Sequence, residues 1–256
     1  MGRLTGKVAV VTGGAQGIGR RCAEMMAAEG ARIVIGDIVD SVGERTAADI
    51  RATGSEAVYR HCDVEVESDC AALVQTAVDQ YGSLNVLLNN AGWFPRCELA
   101  DITPEFWNKV LNVNLRGPFY FCKHAIPIMQ RGGGGSIINV GSPNSLQAIP
   151  TLIPYGAAKG ALINLTRTMA AAYAKDRIRF NLLSPGWVLT DTEKETQKKE
   201  GRTPEQIEEI GRGLRLGRFQ TPDDSGYAVV FLASNESSQV TGMIFSVDAG
   251  STTLIR

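Results

Sequence analysis

A short valine-rich run, Lys7 to Thr12, breaks directly into Thr12-Gly13-Gly14-Ala15-Gln16-Gly17-Ile18-Gly19, and a helical pattern then runs through Glu29 to Gly30. No other stretch constrains the fold as tightly. A continuous apolar run of this length reads as a strand buried on both faces. A strand feeding a glycine-rich turn and then a helix is a building unit of parallel α/β sheets. The same unit suits phosphates: glycine lets the backbone approach a pyrophosphate, and the helix N-terminus offers N–H groups and a favourable dipole. The spacing is Gly-x-x-x-Gly-x-Gly rather than the commoner Gly-x-Gly-x-x-Gly. On this motif alone, a tight turn with nothing bound remains open.

The alternation continues along the chain. Arg32 to Gly36 reads as a second strand ending at Asp37, with Ile38 next. An acid there can accept hydrogen bonds from adenosine ribose hydroxyls and repel a 2′-phosphate, which favours NAD over NADP. Glu56 to Cys62 reads as a third strand ending at Asp63-Val64, and Glu67 to Tyr81 as an amphipathic helix. Leu84 to Leu88 is a fourth strand, running into Asn89-Asn90-Ala91-Gly92. Four strands alternating with helices predict a parallel sheet with right-handed crossovers.

Thr103-Pro104-Glu105 opens a long helix with a cap, a first-turn Pro and an acid. Asn114 falls inside that helix, where Asn is ordinarily solvated, and Gly117-Pro118 then disturbs the ladder. Gly132 to Gly135 reads as the turn into a fifth strand, Ser136 to Val140, which ends at Gly141-Ser142. A sixth strand spans Ile178 to Leu183. A seventh, Met243 to Val247, follows a helix opened by Thr221-Pro222-Asp223-Asp224. Residues 191–218 carry no sheet pattern but many charges, and a capped start at Thr203-Pro204-Glu205-Gln206. One or two short helices closing over a substrate fit this stretch, and so does a solvated surface excursion.

The chemistry gathers around Tyr155, thirteen residues after Ser142 at the start of a helix reaching about Lys175. Lys159 lies one turn further on the same face. A phenol with an ordinary pKa of about 10 is a poor base, and a fixed cation beside it favours the phenolate. Tyr and Lys fall at this spacing in many helices, so the pair gains meaning from its neighbour. Ser142, at the carboxyl end of a parallel strand, can share a crevice with it. Lacking an adjacent His, Ser142 reads as a hydrogen-bond donor rather than a nucleophile.

Composition narrows the function classes. The 256 residues carry a formal net charge of -1 and no basic stripe, which argues against a nucleic-acid partner. Five scattered cysteines without Cys-x-x-Cys indicate reduced thiols, and only His61 and His124 are present, so no metal site is expected. Neither a leader nor an apolar run of ~18 residues is apparent. A soluble cytoplasmic protein is expected.

Taken together, these motifs resemble the short-chain dehydrogenase/reductase family, in order and over essentially the whole chain. The resemblance implies a single Rossmann-like, doubly wound α/β domain over 1–256. Its seven-stranded parallel sheet would have the order 3-2-1-4-5-6-7 with helices on both faces, and a lid at about 190–218. It implies a dinucleotide held by Gly13, Gln16, Gly17, Ile18 and Gly19, with Asp37 and Ile38 at the ribose. Asp63 and Val64 would meet the adenine, and Asn90, Ala91 and Gly92 would form the turn beside the cofactor. Pro185, Gly186, Val188 and Thr190 match the segment that holds the nicotinamide carboxamide.

Asn114, Ser142, Tyr155 and Lys159 match the family's catalytic tetrad. Tyr155 would take the hydroxyl proton, with its pKa lowered by Lys159 and the positive nicotinamide, and Lys159 would also reach the nicotinamide ribose. Ser142 would donate to the substrate oxygen, and Asn114 would hold a water that relays protons. Many members carry a small residue and a glycine after the serine; here Pro143-Asn144-Ser145 follows, which bears on the shape of the substrate loop. The family's usual homotetramer (or a dimer) would bury the Tyr155 helix, and Ala161, Leu165, Thr168 and Ala172 give that helix a second small-residue face.

For substrate, Trp93, Arg96, Asn144, Gln147 and Trp187 combine aromatic surface with hydrogen-bonding groups and lean towards a sugar or polyol oxidised with NAD. One alternative is an NADPH-dependent ketoreductase of carrier-bound 3-oxoacyl groups, against which Asp37 argues. Another is a dinucleotide-sensing protein without catalysis, against which the intact tetrad argues.

Overall fold

A computed structural model describes residues 2–252. Its strands are β1 (Val8–Thr12), β2 (Arg32–Asp37), β3 (Ala57–His61), β4 (Val86–Asn89), β5 (Gly135–Val140), β6 (Ile178–Pro185) and β7 (Ile244–Val247). All pair in parallel as one sheet in the order β3-β2-β1-β4-β5-β6-β7. The expected fold class and strand order are therefore met. The helices are α1 (Gly17–Ala28), α2 (Asp40–Ala52), α3 (Glu67–Tyr81), α4 (Pro104–Leu111), α5 (Gly117–Arg131), α6 (Ile153–Tyr173), α7 (Asp191–Lys199), α8 (Pro204–Gly213) and α9 (Pro222–Ala233).

The two-residue period of β1 sorts the core into two layers. Ala9 and Val11 pack with Met26 of α1, Ile50 of α2 and Val229 of α9. Val8 and Val10 face the other way, onto Leu73 of α3, Phe121 of α5 and Ala170 of α6. Burial on both faces is why β1 reads as an unbroken apolar run. Because β1 lies between β2 and β4, the connections leaving β1 and β4 diverge. That opens a crevice beyond their carboxyl ends. Among the described residues no helix is long and apolar enough to cross a membrane.

The sequence predicts one long helix from Thr103, and the structure breaks it. Thr103 does cap α4, accepting from the Phe106 N–H at 3.2 Å. Residues Asn112–Arg116 then open into a wide π-turn, and the Gly117 N–H reaches the Asn112 carbonyl five residues back. The cause is close at hand: Pro118 has no N–H to continue an α ladder. The wide turn carries Asn114 inward, where it is 0% exposed rather than solvated. Smaller differences lie at element ends. β6 runs two residues further, to Pro185, and α6 begins two residues earlier, at Ile153.

Candidate active site

Two turns meet over the carboxyl ends of β1 and β4. Asn90 ties them together, its Nδ2 donating to the carbonyls of Thr12 at 3.0 Å and Gly13 at 2.9 Å. The Thr12 hydroxyl accepts from the N–H groups of Asn90 and Ala91, both at 3.0 Å. Gly13 has φ 60°, a left-handed value that favours glycine, and a Cβ there would stand 2.8 Å from the Ala91 Cα. A Cβ on Gly19 would stand 2.2 Å from the Gly13 carbonyl oxygen and 2.4 Å from Asn90 Nδ2. Gly17, also left-handed at φ 58°, faces the Thr190 methyl, 3.5 Å from where its Cβ would lie.

Above these turns α1 starts at Gly17 with no side-chain cap and no acid in its first turn. Thr103, Thr190 and Thr203 cap α4, α7 and α8. Helices α2 and α3 also start without a side-chain cap but carry acids in their first turns. Helices α5 and α6 start uncapped with no glycine turn like that before α1. An uncapped, positively polarised helix end behind a glycine cradle is what a pyrophosphate requires, so the residues present fit a dinucleotide.

Asp37 closes the side of this crevice. Its carboxylate accepts from the Ala15 N–H at 3.0 Å and the Val39 N–H at 3.1 Å. A carboxylate has about four lone-pair positions, so both oxygens keep accepting capacity. Ile38 beside it is exposed. Asp63 accepts from the Glu65 N–H at 2.9 Å, and Val64 is buried next to it.

Ser142, Tyr155 and Lys159 come together across the crevice, while Asn114 holds the loop after β4. Ser142 follows β5, and its hydroxyl oxygen accepts from the Asn144 N–H at 3.2 Å, which leaves its own proton to donate. Pro143–Ser145 forms one 3-10 turn that Ser142 caps, so the departure from the family pattern yields a defined loop. Tyr155 lies one turn before Lys159 on α6, with the Lys159 ammonium 5.5 Å from the ring centroid. Lys159 is 3% exposed and donates to the Val140 carbonyl at 2.8 Å. Asn114 donates to the carbonyls of Trp93 at 2.6 Å and Val110 at 2.9 Å, joining the π-turn to the loop after β4.

The electrostatics differ from the sequence expectation. Burial pushes the Tyr155 phenol up to about 12, with hydrogen bonding to Ser142 opposing it. Burial also pulls Lys159 down to about 8. At pH 7 the phenol is protonated and the lysine still mostly charged. Loss of water around the pair outweighs the pull of one ammonium on the phenol.

The remaining predicted residues divide. Gly186 follows β6 closely against Asp248, where a Cβ would meet the Asp248 Cα at 2.8 Å. Its N–H donates to Val247 at 2.8 Å, Val188 bridges to Gln220, and Thr190 accepts from the Glu193 N–H at 3.1 Å. This segment, from Pro185 at the β6 end, sits over the glycine turn through the Gly17–Thr190 approach. Trp93 turns away towards α4, 5.5 Å from the Phe106 ring and under the Lys109 ammonium. Phe94 stands in its place, 5.3 Å from the Tyr155 ring. In an extended loop successive side chains alternate sides, so Trp93 and Phe94 cannot both face Tyr155.

Arg96 pairs with Glu200 at the end of α7, and Gln147 donates to the Ser251 carbonyl. Trp187 packs edge-on against Phe219 at 4.9 Å and donates to Glu193 at 2.8 Å. Asn144 contributes its N–H to the Ser142 cap.

Comparison with known proteins adds a consistent set of relatives. Residues 13–252 match the family model described as Enoyl-(Acyl carrier protein) reductase. An uncharacterized oxidoreductase of Bacillus subtilis is 39% identical, over 98% of this chain and 92% of its own length. The 3-alpha-(or 20-beta)-hydroxysteroid dehydrogenase of Mycobacterium tuberculosis is 39% identical, over 97% and 90% respectively. A solved structure from Sinorhizobium meliloti, described as a short-chain alcohol dehydrogenase, superposes with TM-score 0.91 at 32% identity, covering 98% of both chains.

Proposed function

The chain belongs to the short-chain dehydrogenase/reductase family, an oxidoreductase acting on alcohol or ketone groups, and from that premise we propose an NAD-preferring dehydrogenase of secondary alcohols. One observation carries the reading: Ser142, Tyr155 and Lys159 gather at the carboxyl end of β5, the same sheet edge at which β1 enters the glycine turn that Asp37 meets before uncapped α1. When bound, the nicotinamide dinucleotide supplies hydride exchange with the substrate carbon.

The chain's own residues do the rest. The Tyr155 oxygen holds or removes the hydroxyl proton, and the Ser142 hydroxyl donates to the substrate oxygen and orients it. Lys159 keeps positive charge beside the phenol while anchored on Val140. Asn114, buried in the π-turn, fixes the loop after β4 by donating to the Trp93 carbonyl. Gly13, Gln16, Gly17, Ile18 and Gly19 would hold the pyrophosphate, Ile38, Asp63 and Val64 the adenosine, and Pro185 to Thr190 the nicotinamide.

NAD is preferred because Asp37 offers its remaining lone pairs to the ribose and repels a 2′-phosphate. Asp37→Ala should erode that preference by at most ~1.5–3 kcal/mol, the range of a charged hydrogen bond. Parallel kcat/KM measurements with NAD and NADP check it; a wild type using both equally would remove this role from Asp37.

The sequence leans to a polyol, and the geometry favours a substrate with an apolar body. Arg96 is held by Glu200, Gln147 by the Ser251 carbonyl and Asp191 by Lys194 at 2.9 Å. Glu193 is engaged by Trp187 and by Gln197 at 2.5 Å. What stands exposed instead is Phe94, Leu146, Ile149 and Trp187. A spectrophotometric screen should give higher kcat/KM for cyclohexanol or a hydroxysteroid than for any sugar or polyol. The opposite ranking restores the polyol reading without touching the dehydrogenase assignment.

The assembly reading follows from the outer face of α5 and α6. Leu111, Leu115, Phe119, Ala161 and Leu165 line an open groove of about 600 Å³ there, together with Arg116, Asn164 and Thr168, and Phe119 is exposed. An apolar face of this kind suits burial against further copies. Light scattering on the purified chain should return four copies, or two if only one face pairs.

A further inference from the structure

Three polar side chains run through the apolar layer beneath the site. Asn89, at the end of β4, is 3% exposed; Asn139 of β5 and Thr166 of α6 are each 1% exposed. They join head to tail. Asn89 Nδ2 donates to Asn139 Oδ1 at 2.8 Å, and Asn139 Nδ2 donates to the Thr166 hydroxyl at 2.9 Å. The Thr166 hydroxyl in turn donates to the Leu162 carbonyl at 2.7 Å. The surroundings are apolar: Cys122, Phe121, Ile137 and Leu162 are all buried nearby in the same layer or on the same helix. Asn89 Oδ1 is buried with no hydrogen-bond partner among the described residues. Each buried amide and hydroxyl in this chain is committed to the next, so the three side chains hold their elements in one relative position.

Its connections indicate what. Asn89 and Asn139 are register partners across β4 and β5. A one-residue slip of either strand would turn its own amide out of the layer and break the bond between the two. Each member of the chain also adjoins a functional segment. Asn90 follows Asn89 and ties the two cofactor turns. Val140 follows Asn139, and its carbonyl holds Lys159, with Ser142 two residues beyond. Thr166 lies seven residues past Lys159 and eleven past Tyr155 on the same helix, about 10.5 Å from Lys159 along the axis. Apolar packing tolerates small sliding of α6 over β5. A hydroxyl locked between a strand amide and a helix carbonyl does not.

We propose that Asn139 and Thr166 are positioning residues, setting the height of α6 against β5 so that Lys159 reaches Val140 while Tyr155 and Ser142 stand level. This rests on the reading of Tyr155 and Lys159 as the proton-transferring pair. Neither Asn139 nor Thr166 touches the crevice; both act through Val140 and Lys159.

Thr166→Val keeps the shape of the side chain and removes the hydroxyl, while Thr166→Ser keeps the hydroxyl. Thr166→Val is expected to lower kcat by about 10–100-fold, the scale of a misplacement approaching 1 Å. NADH affinity, read by fluorescence titration, should fall by less than in Lys159→Ala, because the ammonium is displaced rather than removed and the glycine turn is untouched. The pH profile of kcat/KM should be displaced, because Lys159 leaves its carbonyl, and Thr166→Ser should restore both rate and profile. Asn139→Thr, which withdraws the amide from Thr166, is measured in parallel and must show the same split if Thr166→Val does not fold.

A lower melting temperature with wild-type kcat and pH profile would overturn the assignment, as would a Thr166→Ser variant as impaired as Thr166→Val. Amide hydrogen exchange supplies an arm independent of turnover. Exchange should quicken at residues 140–142 and 155–159 but not in β1 or β2, and a uniform increase counts against positioning. A wild type inactive on every alcohol and ketone would instead sink the dehydrogenase reading, with the exchange arm still deciding this one.

Discussion

Tyr155→Phe is expected to lower kcat by about 10²–10⁴-fold, the range a positioned acid–base group contributes, while NADH binding stays within a few-fold of wild type. The substitution deletes one oxygen. The ring can keep its place 5.3 Å from Phe94, and Lys159 keeps its bond to Val140. Lys159→Ala is a different perturbation. It empties a site that is 3% exposed and removes the cation beside the phenol, so turnover and NADH affinity should both fall. Calorimetric titration of both variants with NADH separates the two cases, and equal loss of binding would leave no ground for distinct roles.

The pH dependence carries a sign. With the phenol raised to about 12 and the lysine lowered to about 8, the alcohol-oxidising direction needs the proton gone. Its kcat/KM must therefore climb as pH rises, and the ketone-reducing direction must decline. The apparent value belongs to the pair rather than to either residue. A flat profile in both directions would remove Tyr155 from proton transfer.

Gly19→Ala is expected to raise the Kd for NADH by about 100-fold, equivalent to about 2.8 kcal/mol at about 1.4 kcal/mol per tenfold. The added methyl would stand 2.2 Å from the Gly13 carbonyl oxygen and 2.4 Å from Asn90 Nδ2, and one of the two must move. Those are the two ends of the bond that ties the turns together, at 2.9 Å. Displacing the Gly13 carbonyl also moves the left-handed glycine packed against Ala91. The first damage is therefore to the cradle, with core overpacking costing a further ~1–3 kcal/mol of stability. Calorimetry on the folded variant tests the binding loss, and wild-type affinity in Gly19→Ala would show that this end of α1 does not hold the cofactor.

Most of the fold could be read from pattern. β1 is buried on both faces, and its neighbours alternate with helices at spacings that admit only parallel crossovers. The candidates Ser142, Tyr155 and Lys159 could be placed near one another for a related reason: they sit at a strand end and a helix start, where sequence position fixes spatial position. Asn114 was harder. Gly117 and Pro118 signal a disturbance of the ladder, but whether it bends the helix or widens a turn depends on what the neighbouring loop offers. Here the loop offers the Trp93 carbonyl. The raised Tyr155 was out of reach for another reason, because the balance between a nearby ammonium and lost water depends on packing density around both groups. Asn139 and Thr166 left no periodic signature at all. A polar residue within a strand or helix reads alike whether it faces water or another buried amide.

The uncapped start of α1 has a consequence for the protein's lifetime. A helix left without its N-cap forgoes about 0.5–2 kcal/mol that Ser, Thr, Asp or Asn would supply. A dinucleotide bound at that end restores the missing partners only in the folded state. At a hundredfold excess over its Kd it adds about 2.7 kcal/mol to the folding equilibrium. Bound dinucleotide should therefore raise Tm and slow proteolysis of the purified chain, so that the ligand protects the fold as well as serving the reaction.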